Sequence, residues 1–235
     1  RKKAMHTKNR IRESRGDQVF KIINTTIVTI LLLIVLYPLI NVLSCSFSDP
    51  LEVGAGHVIL LPKGLNILGY KRVFQDPSIM TGYANSLFYT VVGTVINLLV
   101  TVPAGYALSR SDLPGRSVIM GYFMFTMYFS GGMIPSFLLV RNLGLYDTRA
   151  VLLILGAFST YNCIICRTFF ASIPKELEEA ASIDGCAPIR CFIQIILPIS
   201  QALLGVMVLY FAVGHWNSYF NAMMYTYRDA LKPLQ

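Results

Sequence analysis

The sequence is poor in charged residues. Only 14% of its 235 residues are Asp, Glu, Lys or Arg, whereas 54% are hydrophobic. A soluble domain carries roughly 25% charged residues, so this composition excludes an ordinary soluble protein and indicates a membrane protein.

The chain also lacks a nucleotide-binding loop. A P-loop requires a Gly followed by Lys, and none of the 17 glycines is followed by Lys. The sequence has only three histidines, which are scattered, and no carboxylate lies at the middle of an apolar stretch. It therefore gives no sign of an intramembrane enzyme, and we expect no cofactor in this chain.

Cysteine is scarce and odd in number. Five cysteines, most of them in apolar or predicted cytoplasmic stretches, argue against a disulfide framework. Cys163 and Cys166 form a C-x-x-C pair, but they lie in an apolar stretch with no second pair and no nearby His. We interpret them as small packing residues and expect no metal site.

The cations are concentrated at the N-terminus. The net charge is +8, and eight of the 20 Lys and Arg residues lie in residues 1–21. A nucleic-acid-binding arm would be basic too, but an apolar run from Ile22 to Leu43 follows directly, which favours a cytoplasmic flank that fixes orientation. That run is too long for a cleaved signal peptide, so we predict a retained first helix.

Five stretches are long and apolar enough to cross a membrane, which takes roughly 20 residues each. Because backbone groups in hydrocarbon must pair internally, they are predicted to be helices and the protein to be all-α. The predicted spans are residues 22–43, 86–108, 117–140, 150–170 and 191–213. With the N-terminus inside, the inner segments hold 13 Lys and Arg against 7 outside, which supports a cytoplasmic N-terminus. The outer loop 44–85 is predicted to form turns, because it is rich in Pro and Gly.

A hydrophilic segment, residues 171–190, joins the last two spans on the predicted inner face. Pro174 suits a first helical turn, residues 175–183 are mostly good helix formers, and Gly185 suits a left-handed C-cap. The pattern predicts a short amphipathic helix against the membrane, followed by a turn. A simple connector is the alternative, but a connector has no need of a capped helix with four acidic residues.

This segment resembles the signature of the permeases of ABC importers: Glu-Ala-Ala, three residues, Gly, nine residues, Ile, one residue, Leu-Pro. The matching residues are Glu179, Ala180, Ala181, Gly185, Ile195, Leu197 and Pro198. Asp184 and Phe192 also match the carbohydrate branch of the family, the maltose-permease type, although Cys186 stands where that branch has Ala.

Other segments of the chain are similar to the same branch. They are Asn85-Ser86-Leu87, residues 103–110, Ile134-Pro135 with residues 143–148, and residues 216–220. The resemblance covers about residues 15–235 and is strongest to the second, six-helix permease of such systems, including those for alginate- and aldouronate-type oligosaccharides. It implies a sixth span beyond Gln235.

The resemblance implies that the chain forms half of the translocation pathway of an ATP-driven importer in a bacterial cell membrane. The expected substrate is a sugar, an oligosaccharide, and a non-sugar solute is the alternative. The expected partners are a homologous second permease, a dimer of ATPase subunits that carries ATP and Mg, and an extracellular solute-binding protein. The residues expected to couple to the ATPase are Glu179, Ala180, Ala181, Asp184 and Gly185. The two small alanines would let the ATPase approach closely.

Candidates for the substrate pathway follow from sugar chemistry, since sugars need hydroxyl partners and flat aromatic surfaces. They are Tyr89, Asn97, Tyr128, Tyr161, Asn162, Tyr210, Trp216 and Asn217. The alternative for each is an interfacial aromatic or an Asn that bonds between helices.

Two other classes of protein fit the sequence less well. An ion-coupled transporter would require acidic or His residues within its spans and an inverted repeat, and neither is visible. A structural scaffold would not require the spaced signature.

Overall fold

The computed structural model describes residues 14–234, and all regular structure in that range is helical, as predicted. Six of the eight clustered N-terminal cations lie in residues 1–13, outside the described residues. The chain divides into two compact units, Arg1–Gln75 and Asp76–Gln235. The predicted boundary after residue 21 was drawn from charge, and it does not coincide with the division between the two compact units.

The first unit contains one long helix and two short ones: α1 (Arg15–Ser46), α2 (Pro50–Gly54) and α3 (Leu68–Gln75). A capping box begins α1, because the Ser14 hydroxyl accepts from the Asp17 N–H while the Asp17 carboxylate accepts from the Ser14 N–H. The helix therefore starts before the predicted span at residue 22.

Polar side chains near the end of α1 bind the chain that follows. The Asn41 side-chain amide donates to the carbonyls of Val58 and Ile59, at 3.0 and 2.9 Å. Pro50, predicted as a turn residue, is instead the first residue of α2, where Asp49 caps the helix through the Leu51 N–H.

The second unit begins with its longest helix, α4 (Pro77–Ser109), which coincides with the uncharged run of the sequence. Asp76 caps it, and Pro77 occupies the first turn, so it starts nine residues before the predicted span at Ser86. The other elements are α5 (Arg116–Tyr128), α6 (Met133–Asn142), α7 (Arg149–Ile154), α8 (Thr160–Ala171), α9 (Glu176–Ile183), α10 (Pro188–Cys191), a π-helical turn (Phe192–Ile196), α11 (Leu197–Ile199), α12 (Gln201–Trp216), α13 (Tyr219–Tyr225) and a 3-10 turn (Asp229–Leu231).

Three of the predicted spans are not continuous helices. The axes of α5 and α6 meet at 113°, after Gly132 takes a φ of +85° that interrupts the helix. The segment Pro188–Ile199 meets α12 at 84° next to the buried Ser200. The predicted span 150–170 is divided into α7 and α8.

By length and composition, residues 14–234 contain two helices able to cross a membrane, α1 and α4, and up to four spans if each bent pair is one. The fold is thus that of a helical membrane protein.

Helix α4 lies at the centre of the second unit, between α8 and α12. Two glycines allow close approach there, because a Cβ on Gly105 would collide with Cys166 of α8, and one on Gly93 would collide with the His215 ring of α12. Both Cys163 and Cys166 are buried in this packing. One cluster of buried residues, the α9 core cluster, consists of Val102, Cys166, Phe170, Ala181, Cys191, Ile196, Leu203, Met207 and Phe211.

Candidate coupling site

The predicted amphipathic helix is present as α9, and its end is a Schellman motif. The Cys186 N–H donates to the Ala181 carbonyl at 2.9 Å, and the Gly185 N–H donates to the Ser182 carbonyl at 3.1 Å. Gly185 has a φ of +75°, the left-handed conformation that this motif requires. Pro188 then begins α10 in the new direction. The turn is therefore built from local backbone hydrogen bonds and one left-handed glycine.

One face of α9 is anchored to the end of α4. Glu178 forms an ion pair with Arg110, and Lys175 Nζ donates to Ser111 Oγ at 3.0 Å. Ala181 is only 6% exposed and belongs to the α9 core cluster, which also contains Phe170. The helix is consequently tied by charge and by packing to the end of the central helix.

Arg110 has a second acidic neighbour in the turn after α4. Its Nε donates to Asp112 Oδ1 at 3.2 Å, and its guanidinium also bonds the Tyr106 hydroxyl at 3.3 Å. The hydrogen bond from Arg110 holds the pKa of the Asp112 carboxyl below its ordinary value. The cation is thus positioned by its own loop while it pairs with α9.

The opposite face of α9 is exposed. Residues 176, 179, 180 and 183 recur at helical spacing, and all four are exposed, Ile183 by 86%. On the following segment Ile189 is 75% exposed. Asp184 and Gly185 are exposed at the turn itself. The exposed surface thus combines carboxylates with apolar side chains, which suits contact with another protein.

The prediction that both alanines face a partner is wrong for Ala181. Neighbouring residues of an α-helix point roughly 100° apart, so Ala180 lies on the exposed face while Ala181 lies in the core. Ala181 is small because α9 approaches its own chain closely at that position.

The structure divides the eight pathway candidates into two groups. Tyr89, Asn97 and Asn162 are buried in helix packing. The Tyr89 hydroxyl donates to the Leu231 carbonyl at 2.8 Å, and the Asn97 amide donates to the Gly156 carbonyl at 2.7 Å, in the break between α7 and α8. The exposed candidates are Tyr128, Tyr161, Tyr210, Trp216 and Asn217.

A polar network at the other end of α4 could not be assigned from the sequence. The Asn85 side-chain amide donates to the carbonyls of Ala230 and Lys232, at 2.8 and 3.1 Å. Ser86 Oγ accepts from the Leu234 N–H at 2.9 Å, and Arg149 donates to Asn85 Oδ1 at 3.3 Å. The Asn-Ser pair thus holds the segment 230–234 on α4. The sequence shows the Asn-Ser pair, but it does not show which backbone groups the two side chains bind, because every residue has the same backbone carbonyl.

Asp147 fastens the neighbouring part of the same segment. Its Oδ1 accepts from the N–H groups of Tyr227 and Arg228, at 2.9 and 3.0 Å, and its Oδ2 accepts from Arg228 Nε at 2.7 Å. These bonds, first of all the one from the Arg228 N–H, lower the pKa of the Asp147 carboxyl.

A helical membrane fold with an anchored helix beside its central helix fits a polytopic permease, and the family match makes the chain a transport component rather than an enzyme. The chain belongs to the family described as binding-protein-dependent transport system inner membrane component, whose pattern matches residues 78–222, more than half of the chain. The resemblance to ABC-importer permeases is therefore confirmed.

Individual relatives cover most of the chain. Protein LplC of Bacillus subtilis is 36% identical over 94% of this chain and 75% of its own length. The polygalacturonan/rhamnogalacturonan transport system permease protein YtcP, also of Bacillus subtilis, is 39% identical over 86% of this chain and 71% of its own length.

A solved structure agrees over nearly the whole chain. It is a crystal structure of a bacterial ABC transporter involved in the import of the acidic polysaccharide alginate. The similarity has a TM-score of 0.90 and 39% identity, and it covers 96% of this chain and 81% of the solved chain.

Proposed function

We propose that this chain is a permease subunit of an ATP-driven importer of oligosaccharides. It forms half of the pathway with a homologous second permease and couples to a separate ATPase dimer, which binds ATP and Mg. The observation that carries this proposal is the two-faced helix α9: one face is tied to α4, and the other offers Glu179, Ala180 and Ile183 to a partner.

The proposed mechanism follows from that anchoring. A force on the exposed face of α9 is transmitted to α4 through the Glu178–Arg110 pair and through Ala181 in the core. Because α4 packs on α8 and α12, closure of the ATPase dimer would rock these helices together. Rigid-body rocking of this kind alternates access to a site near the middle of the membrane.

The proposed topology places the N-terminus in the cytoplasm of a bacterial cell and gives the chain five spans. The bent pairs α5–α6 and α10–α12 each count as one span, and α7 with α8 supply another. The loop with α9 and the turn 110–115 then face the cytoplasm, where the ATPase lies. An extracellular solute-binding protein delivers substrate to the opposite side.

The substrate class is proposed from the relatives. YtcP is named for polygalacturonan and rhamnogalacturonan, and the solved transporter is described as importing alginate. These are acidic polysaccharides, so uronate-containing oligosaccharides are the first substrates to test. The exposed candidates Tyr128, Tyr161, Tyr210, Trp216 and Asn217 offer aromatic surfaces and an amide to such a sugar, whereas Tyr89 and Asn97 bond backbone carbonyls of the chain and Asn162 is buried.

The central test is substitution of Gly185 by Val in the assembled transporter. A side chain at a φ of +75° strains the Schellman turn by about 1–2 kcal/mol and redirects α9. We expect binding-protein-stimulated ATP hydrolysis and uptake of a galacturonate oligosaccharide to be lost, with the binding protein's affinity for sugar unchanged. Both rates are measured in reconstituted vesicles.

Two further variants sharpen this test. Ala180→Trp enlarges the exposed face and is expected to block the ATPase without disturbing the fold. Gly205→Ala, at a helical glycine of α12 with open space around its Cβ position, is the matched control and retains both rates. Full stimulation in Gly185→Val would overturn α9 as the coupling element. Stimulation by a non-sugar solute alone would favour the alternative substrate class.

A further inference from the structure

A cavity of about 640 Å³ lies between the turn after α4, the start of α5 and helix α8. Its polar lining consists of Arg116, Arg167, Ser111 and Ser117. No Asp or Glu is among its lining residues. The cavity therefore carries two positive charges that its own walls do not neutralise.

The two arginines are available to a ligand. Arg167 donates from its Nε to the Leu108 carbonyl at 3.2 Å, which holds the guanidinium at the cavity wall, and within residues 14–234 its terminal nitrogens have no hydrogen-bond partner. Arg116 is half-buried, and within residues 14–234 its guanidinium has no hydrogen-bond or ion-pair partner. Paired, partly buried guanidinium groups are the side chains that best hold a phosphate.

The backbone adds to this positive field. Gly115, with a φ of +74°, precedes α5 without a side-chain cap, and the first turn of the helix has no acidic residue. The N-terminal end of the helix dipole is therefore also unneutralised at the cavity, and it favours an anion there.

The rest of the cavity is apolar. Val118, Met120 and Met124 line it along α5, and Val118 and Met124 are exposed beyond it. A ligand that fits both parts has an anionic head and a hydrocarbon tail. A free phosphate would leave the apolar part of the cavity uncovered.

We propose that this cavity binds an anionic phospholipid, whose phosphate lies between Arg116 and Arg167 and whose acyl chain runs along Val118 and Met124. The inference uses the proposed function only to place the cavity at the inner face of a bacterial membrane. Basic pockets at that face are suited to anionic headgroups. Ser111, which follows Arg110 in the same turn, lines this cavity, so the bound lipid also contacts that turn. Ser111 and Arg116 also line a second cavity that extends to Glu178 on α9.

Lipid retention tests the proposal directly. The complex is purified with its partner subunits from vesicles of phosphatidylcholine that contain phosphatidylglycerol, and retained lipid is counted by native mass spectrometry. We expect the unmodified complex to retain phosphatidylglycerol and Arg116→Gln to retain it at least about fivefold less. The control is Arg190→Gln, which removes one positive charge from a neighbouring segment outside the cavity. We expect this variant to retain phosphatidylglycerol as fully as the unmodified complex does.

A second variant separates lipid binding from folding. Ser117→Asp places an acidic residue in the first turn of α5, which favours the helix but repels a phosphate. We expect it to melt at the same or a higher temperature and to lose the lipid. Equal retention by Arg116→Gln, Ser117→Asp and Arg190→Gln would overturn the proposal, as would complete displacement of the lipid by inorganic phosphate. Because retention is read as mass, a failure of transport does not affect the result.

Discussion

Asp147 adopts a φ of +57°, which is uncommon for a residue with a side chain, although Asp tolerates it better than most. The conformation lets its carboxylate accept two backbone N–H bonds from residues 227 and 228 while it pairs with the Arg228 side chain. One residue in the turn between α6 and α7 thus organises the segment that follows α13.

Substitution of Asp147 by Ala should loosen that segment. The amides of Tyr227 and Arg228 lose their acceptor, so we expect several-fold faster hydrogen exchange across residues 227–234, with little change in α4. Exchange is measured by mass spectrometry on the purified protein. Unchanged protection of residues 227–234 would contradict this role.

The same contact has a defined pH dependence. Because the pKa of Asp147 is lowered in the folded chain, its stabilisation is complete above the ordinary Asp pKa and is lost as the pH falls through the lowered value. Acidification should therefore accelerate exchange at residues 227–234 in the wild type, after correction for the intrinsic rate. Asp147→Asn, which keeps an acceptor oxygen but no charge, should lack this acid transition.

At the scale of elements, the contacts between α4 and α9 determine whether a displacement of α9 also moves α4. These contacts are the Glu178–Arg110 ion pair and the Lys175–Ser111 hydrogen bond, both polar and at the surface, and the Ala181 packing below them. Because Arg110 is itself held by Asp112 and Tyr106, the ion pair joins α9 to a side chain that is already fixed at the end of α4.

Breaking the ion pair should uncouple hydrolysis from transport. In Arg110→Gln we expect a loss of stability on the order of 1 kcal/mol, since the pair is only partly buried, and a clear drop in sugar transported per ATP hydrolysed. Both rates are measured in the same vesicles. The double variant Arg110→Glu with Glu178→Arg should recover part of the ratio.

A matched control for this pair lies on the same helix. Glu176→Gln removes an exposed carboxylate of α9 that has no described partner on α4, so it should lack the loss of stability that is expected when the pair with Arg110 is broken. If Glu176→Gln and Glu178→Gln lowered the stability equally, the net charge of α9, and not the pair with Arg110, would be responsible.

At the scale of the whole molecule, much of the described surface is apolar, including most of α1. Lipid and partner subunits are both suited to such a surface in a membrane. The exposed face of α9 is different, because it adds carboxylates to apolar residues and suits a water-exposed protein partner.

The assembly should therefore contain this chain together with ATPase subunits. We expect the chain co-expressed with its partners to purify as one copy each of two permeases with two ATPase subunits, and the chain alone to show no transport. Native mass spectrometry gives the composition, and uptake by vesicles gives the activity. A transport-competent assembly of this chain that lacks an ATPase would contradict the expectation.

The coupling site illustrates how much of a site can be predicted from sequence. The helix, its boundaries and the left-handed Gly185 follow from propensity and capping, which act over a few residues. The division between Ala180 and Ala181 does not, because it depends on which face of the helix meets the core. The partner of Glu178 was likewise hidden, since Arg110 is distant in the sequence.

The sequence by itself determined that the protein is helical and membrane-bound, that its most apolar stretches are helical and that Gly185 forms a left-handed turn after α9. Hydropathy, local hydrogen bonding and caps are properties of neighbouring residues, so they can be read along the chain. Only the tertiary structure decided what Asn85 and Ser86 bind and how α9 is held. These features depend on backbone carbonyls and on charges brought together from distant segments, and a backbone carbonyl is the same in every residue.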